Sequence, residues 1–173
     1  MEYLPLTADL RAATEQFAAR IPQQDRGFFD GFLLYQVAVA GWTRATPARR
    51  IAAVENADSS SPEMVGVVTI VPGNGWQSHV GEMRVVVQPS HRGQGVGRQL
   101  IHEGLELAAS LDLLKVSTEL MASNAGGLAL FESIGFRREA QLQDHVRDGE
   151  GNLQDLIILG RDVSPDVSQH EST

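Results

Sequence analysis

Cysteine is absent from all 173 residues. That excludes a disulfide framework and thiolate metal sites, and it removes the side chain most often used for covalent catalysis. Aromatic residues are few, at 6%, with only two tyrosines, Tyr3 and Tyr35. Phe28, Phe29, Phe32 and Leu33 nevertheless cluster, and core packing explains them more simply than an aromatic cage does. No apolar run approaches the ~20 residues that cross a bilayer. The opening Met-Glu-Tyr-Leu-Pro-Leu lacks the basic flank and apolar core of a signal peptide, so a cytoplasmic chain without a membrane partner is expected. Basic side chains are outnumbered, 14 against 22 acidic ones, giving a formal charge of −8. Nucleic acid is bound chiefly by Lys and Arg neutralising phosphates, so it is not an expected partner, whereas a cationic amine suits this balance. No group of His, Asp and Glu has metal-ligand spacing, and no metal is expected.

The length suits one well-buried domain and is too short for two ordinary ones. That domain is expected over residues 1–163, with a polar tail at 164–173. Periodicity predicts a short strand at Glu2–Leu6, a helix from Thr7 to Pro22, and a second helix or pair of turns over Asp25–Trp42. A basic connector, Arg44–Arg50, leads to strands at Arg49–Asn56, Met64–Val71 and Trp76–Gln88. Leu100, Ile101, Gly104, Leu105 and Ala108 mark one face of a helix over Val96–Leu111. A strand at Leu114–Met121, a helix at Asn124–Ser133 and a hairpin around Asp148–Asn152 complete the order. Hairpin strands mixed with strand-helix-strand crossovers imply an α/β fold with a mixed sheet.

The stretch Val85–Arg98 carries the strongest signal. A β-branched run stops at Pro89, which cannot donate a ladder hydrogen bond, and Gly93, Gly95 and Gly97 then lead into a helix. Exposed amides at a helix start suit phosphate, and Arg92 and Arg98 add positive charge. A Walker loop needs Gly-Lys-Ser/Thr, and no Lys follows these glycines. A dinucleotide fingerprint needs a glycine where Arg98 or Leu100 stands. What remains is Arg/Gln-x-x-Gly-x-Gly/Ala, met by Arg92, Gly95 and Gly97. Further on, Asn124 opens a short segment that ends in Gly135-Phe136.

These two motifs, in this order, resemble those of the GCN5-related N-acetyltransferase (GNAT) superfamily. The resemblance implies a mixed sheet whose fourth and fifth strands splay apart, and an acetyl-CoA co-substrate. It places the pyrophosphate on Arg92, Gly93, Gln94, Gly95, Val96, Gly97 and Arg98, and the pantetheine arm along Val85, Val86 and Val87. Asn124 would touch that arm, although Asn is also among the best helix N-caps. Glu82 is the first candidate for the base that deprotonates an amine acceptor, and a solvated strand glutamate is the equally open alternative. Glu119 is the second candidate and His79 the third. Many members of the superfamily carry a tyrosine acid, beside the cofactor, where this chain has Phe131, which cannot donate a proton. Water or Ser133 then substitutes, the thiolate leaves unaided, or the domain binds acyl-CoA as a non-catalytic sensor. The expected activity is direct acetyl transfer to a primary amine, on a small cationic molecule or on a protein lysine or N-terminus, by a monomer or homodimer. A pure interaction domain would leave the glycine loop unexplained.

Overall fold

The computed structural model describes residues 1–22, 25 and 48–163. Strands β1 (Glu2–Pro5), β2 (Arg49–Glu55), β3 (Glu63–Pro72), β4 (Val80–Val87), β5 (Lys115–Met121), β6 (Arg137–Arg147) and β7 (Leu153–Asp162) form one seven-stranded sheet in the order β1-β2-β3-β4-β5-β7-β6. Helix α1 (Arg11–Arg20) follows β1, α2 (Val96–Ser110) links β4 to β5, and α3 (Ala125–Ser133) links β5 to β6. Each neighbouring pair is antiparallel except β4 with β5. Within the described residues this is the α/β mixed sheet expected from the order of elements. The expected second helix at Asp25–Trp42, its aromatic cluster, most of the basic connector and the 164–173 tail lie outside the described residues.

The β-branched content of β2, β3 and β4 favours extended backbone, and strand alternation then sorts the side chains between two cores. On one face, Met83, Val85 and Val87 pack with Leu100 and Ile101 of α2 and Phe131 of α3. On the other, Val86 joins Val54, Met64 and Val67 beneath Phe17 of α1. Gly104 lets α2 press on the sheet, since a Cβ there would lie 2.7 Å from both Met83 Cε and Val68 Cγ2. Fully burying side chains of this size stabilises by roughly 1.5–3 kcal/mol each.

One expected boundary is corrected. Trp76–His79 does not begin a long strand: Gly75–Gln77 is a 3-10 turn and β4 starts at Val80. The cause is the tight closure of the hairpin. Gly73 N–H bonds the Val80 carbonyl at 2.8 Å, Gly75 takes a positive φ of 54°, and a Cβ on Gly73 would sit 2.3 Å from the Gln77 carbonyl oxygen. Trp76 is left 99% exposed. The other strand and helix boundaries fall within a residue or a few of those predicted.

Candidate active site

The site is built on a fork in the sheet. β4 and β5 pair only from Val80↔Lys115 to Glu82↔Ser117, after which both strands continue without pairing to each other. Backbone groups of β4 past Glu82 therefore face an open gap on the β5 side. A cleft of about 1330 Å³ follows this gap, lined by Val85, Val86 and Val87 on β4, Leu120 and Met121 on β5, and Phe131 on α3. The splayed fourth and fifth strands expected from the resemblance are present.

At its other end the cleft meets the glycine loop. Gly93 and Gly95 have φ of 73° and 86°, a region costly for any residue with a Cβ, and Gly95 is the N-cap of α2. The first helical hydrogen bond runs from Gln99 N–H to the Gly95 carbonyl at 3.0 Å. The amides of Val96, Gly97 and Arg98 precede that bond, so they remain available as donors at the positive end of the helix. Nothing lies within 4 Å of where a Cβ on Gly93 or Gly95 would stand, whereas one on Gly97 would meet Leu130 at 3.3 Å and Val87 at 3.7 Å. An open, amide-lined loop between two arginines fits a pyrophosphate.

The side chains around the loop divide by task. Arg92 Nε donates to the Val87 carbonyl at 3.0 Å, which ties the loop to the end of β4, and its Nη2 donates to Asp25 at 2.5 Å. Gln94 Nε2 donates to the Ser90 carbonyl at 2.8 Å, and Val96 is buried in the core. Val96 can therefore serve an anion only through its backbone, whereas the Gln94 amide keeps a second N–H. Arg98 Nη2 donates to Ser133 Oγ at 2.9 Å, joining the start of α2 to the last turn of α3. Asn124 Oδ1 accepts from Gly127 N–H at 3.0 Å as the N-cap of α3, and Asn124 also lines the cleft. Capping and a place beside the cleft are thus compatible.

Three carboxylates outside the two motifs, Asp25, Asp148 and Glu150, also line the cleft. Asp148 and Glu150 come from the β6–β7 turn; Asp148 closes the Asp144-His145-Val146-Arg147-Asp148 cluster, which the sequence suggests as turn chemistry before catalysis, whereas Asp25 and Glu150 carry no sequence signal. Hydrogen bonds, foremost from Asn152 N–H, hold the Asp148 carboxyl below its usual range, and the same bonds shape the turn. Asp155 is likewise held low by Asp144 N–H and the Gln141 amide, which pins an irregular stretch of β6. The Asp144–Asp148 stretch therefore serves local structure.

Neither Glu82 nor Glu119 is part of the cleft lining. Alternation puts both on the sheet face opposite α2 and α3, on the two strands that diverge at the fork. Glu82 Oε1 accepts from Arg84 Nε at 2.6 Å, a partner that the two-residue strand period could have revealed. Arg84 is in register with Thr69, which is in register with Arg50. Burial pushes the Arg50 guanidinium down from its ordinary value. His79 is exposed in a turn, where its carbonyl accepts from Leu114 and Lys115. Phe131 is 4% exposed and meets Phe136 edge-on, with ring centroids 4.9 Å apart. Ser133 is exposed, and its Oγ also donates to the Leu130 carbonyl at 2.7 Å.

Known proteins resemble this chain in sequence and in fold. Over 68 residues the chain is 38% identical to a mycothiol acetyltransferase of Kocuria rhizophila, covering 39% of this chain and 22% of that protein. Over 80 residues it is 30% identical to the [ribosomal protein bS18]-alanine N-acetyltransferase of Escherichia coli K12, covering 46% of this chain and 53% of that one. The chain thus spans about half or less of the length of the curated relatives it matches. A crystal structure of a ribosomal-protein-alanine N-acetyltransferase from Brucella melitensis superposes with a TM-score of 0.77 at 20% identity, covering 94% of this chain and 99% of that one, which shows a common fold. The family model described as the acetyltransferase (GNAT) family matches residues 13–136, well over half of the sequence, and that span holds the fork, the glycine loop and the Asn-capped helix. The chain belongs to the acetyltransferase (GNAT) family.

Proposed function

We propose that this protein is an acetyl-CoA-dependent N-acetyltransferase that moves the acetyl group directly onto a primary amine. The observation that carries the reading is the continuity of one cleft from a phosphate-suited glycine loop to the fork between β4 and β5. Arg92, Arg98 and the amides at the start of α2 would hold the pyrophosphate, and the unpaired backbone of Val85–Val87 would bond the pantetheine arm. When bound, acetyl-CoA supplies an activated thioester carbonyl.

The residues of the chain then position and deprotonate. With no cysteine in the sequence, no acyl-cysteine route exists, which supports direct transfer in a complex where amine and thioester meet. Glu82, beside the fork, would accept the amine proton directly or through water, with Glu119 as the alternative. The relatives' names span a ribosomal protein's alanine and mycothiol, so they do not single out an acceptor. The carboxylates Asp148 and Glu150 on the cleft wall favour a cationic acceptor, either a small amine or a protein lysine or N-terminus.

Phe131 favours a second reading, a sensor that binds acyl-CoA without turnover. Both readings are tested by incubating the protein with acetyl-CoA and a panel of polyamines, amino acids and lysine or N-terminal peptides, following thiol release and acceptor mass. Thiol release together with an acetylated acceptor is the expected result. CoA binding without release for any amine would turn the assignment to the sensor, and absence of CoA binding would overturn both.

A further inference from the structure

Among the described residues only three polar side chains are buried in the protein: Thr14, Gln88 and Thr118. Thr14 Oγ1 donates to the Leu10 carbonyl at 2.8 Å and Gln88 Nε2 to the Met64 carbonyl at 2.9 Å. Thr118 is 2% exposed, and its hydroxyl makes no hydrogen bond among the described residues. Thr118 Oγ1 is not among the fully buried side-chain atoms that lack a partner, so the oxygen keeps a little open surface although no protein group bonds it. Valine would fill the same branched shape in this apolar layer, so the hydroxyl is free to serve a ligand.

Its position points to one. Ser117 is the last β5 residue paired with β4, so Thr118 is the first beyond the fork. Its side chain shares a face with Val116 and Leu120, which pack beneath α2 and α3 with Phe131. Leu120 and Phe131 also line the cleft. An arm that starts at the glycine loop and runs back along the unpaired edge of β4 ends where the strands close. The stretch Met83–Val87, paired with β3 but open on its β5 side, is long enough, at roughly 3.3 Å per residue, to carry an extended arm to that point. Thr118 lies one strand period before the cleft-lining Leu120 and is not itself part of the lining, so on the acetyl-transfer reading the reacting end would arrive near Thr118, and Phe131 offers it no donor.

We propose that the Thr118 hydroxyl donates a hydrogen bond to the sulfur of CoA and stabilises the charge that develops there; this rests on the acetyl-transfer reading. The amine lone pair forms the C–N bond, and the C–S bond breaks with its electron pair moving to sulfur. The proton shed by nitrogen passes through a base or water to the thiolate, giving the free thiol. Thr118 keeps its own proton throughout, so it acts as a donor to the leaving group and not as its acid. Such help is worth most in a water-poor site.

The test compares Thr118→Val, which removes only the donor, with Thr118→Ser, which keeps it. A hydrogen bond to the charged form favours that form, so the thiol of bound CoA should ionise at lower pH in the wild type. In Thr118→Val the thiolate absorbance of bound CoA should appear roughly 1–2 pH units higher, and in Thr118→Ser close to the wild-type value. Acetyl transfer should fall roughly 10- to 100-fold in kcat in Thr118→Val, with KM for acetyl-CoA little changed. Unliganded Thr118→Val should melt no lower than the wild type, because no protein partner is lost. Unchanged thiol ionisation in a folded Thr118→Val would overturn the proposal, and so would a clear drop in its melting temperature or failure to fold, which would mark the hydroxyl as structural. A wild type that binds no CoA at all would instead bring down the acetyl-transfer reading, and this proposal with it.

Discussion

The two faces of the sheet at the fork are built on different principles. The face under α2 and α3 makes its site from backbone: left-handed glycines, free helix-start amides and an unpaired strand edge. The opposite face makes its candidate site from side chains, with Glu82 bonded to Arg84 and Glu119 across the fork. A backbone site imposes strict demands on sequence, because few residues tolerate φ values of 73° or 86°. A side-chain site imposes few, since a glutamate on a strand is chemically ordinary until its neighbours are known. The comparison predicts that the first site will be intolerant of any added Cβ and the second sensitive only to loss of charge.

The largest effect should come from the backbone site. CoA at a hundredfold excess over its dissociation constant should add about 2.7 kcal/mol of apparent stability to the wild type. Gly95→Val forces a branched residue into the left-handed region, and Gly97→Val presses on Leu130 and Val87. Both should lose most of the CoA-induced rise in melting temperature. If both variants folded and gained as much from CoA as the wild type, the backbone account of this face would be wrong.

The next effect separates the carboxylates on the opposite face. Glu82→Gln keeps the shape, and its amide oxygen can still accept from Arg84, so the hydrogen bond is kept while the charge and the basicity are lost. Turnover should fall by about 10²–10⁴-fold while CoA affinity barely changes. Activity should return in part at high pH, where free amine needs no base. Glu119→Gln should cost far less, and the reverse ranking would transfer the base to Glu119. Equal losses of CoA affinity and turnover in Glu82→Gln would instead mean that its bond to Arg84 is structural.

This contrast also explains what was legible in the sequence. The strand and helix order could be read because Val-rich runs and the Leu100, Ile101, Gly104 spacing each match one period. The error at Trp76–His79 came from an apolar residue in a turn governed by Gly73 and Gly75, where glycine chemistry outweighs hydrophobicity. The glycine loop and Asn124 were legible because local backbone geometry demands those residues. Asp25 and Glu150 were not, and Asp148 stood out only as part of a turn cluster, because tertiary folding brings all three from distant segments to the cleft. Thr118 was hidden for another reason: threonine is common in strands, and only burial without a partner sets it apart.

The smallest effect tests the one place where a carboxylate intrudes on the backbone site. Asp25 bonds Arg92, the arginine that would otherwise face an incoming phosphate unencumbered. An anion on the glycine loop would have to share Arg92 with Asp25 or displace it, and either costs part of the ion pair. The pair is half exposed on its arginine side, so its worth is of the order of a surface ion pair, about 0.2–1 kcal/mol. Asp25→Asn should therefore tighten CoA by roughly 1.5- to 5-fold, measured by calorimetry at low salt, with the gain shrinking as salt screens both interactions. The opposite result, weaker binding in Asp25→Asn, would mean that Asp25 orients Arg92 toward the phosphate, and that the cofactor face, too, relies on a side-chain pair.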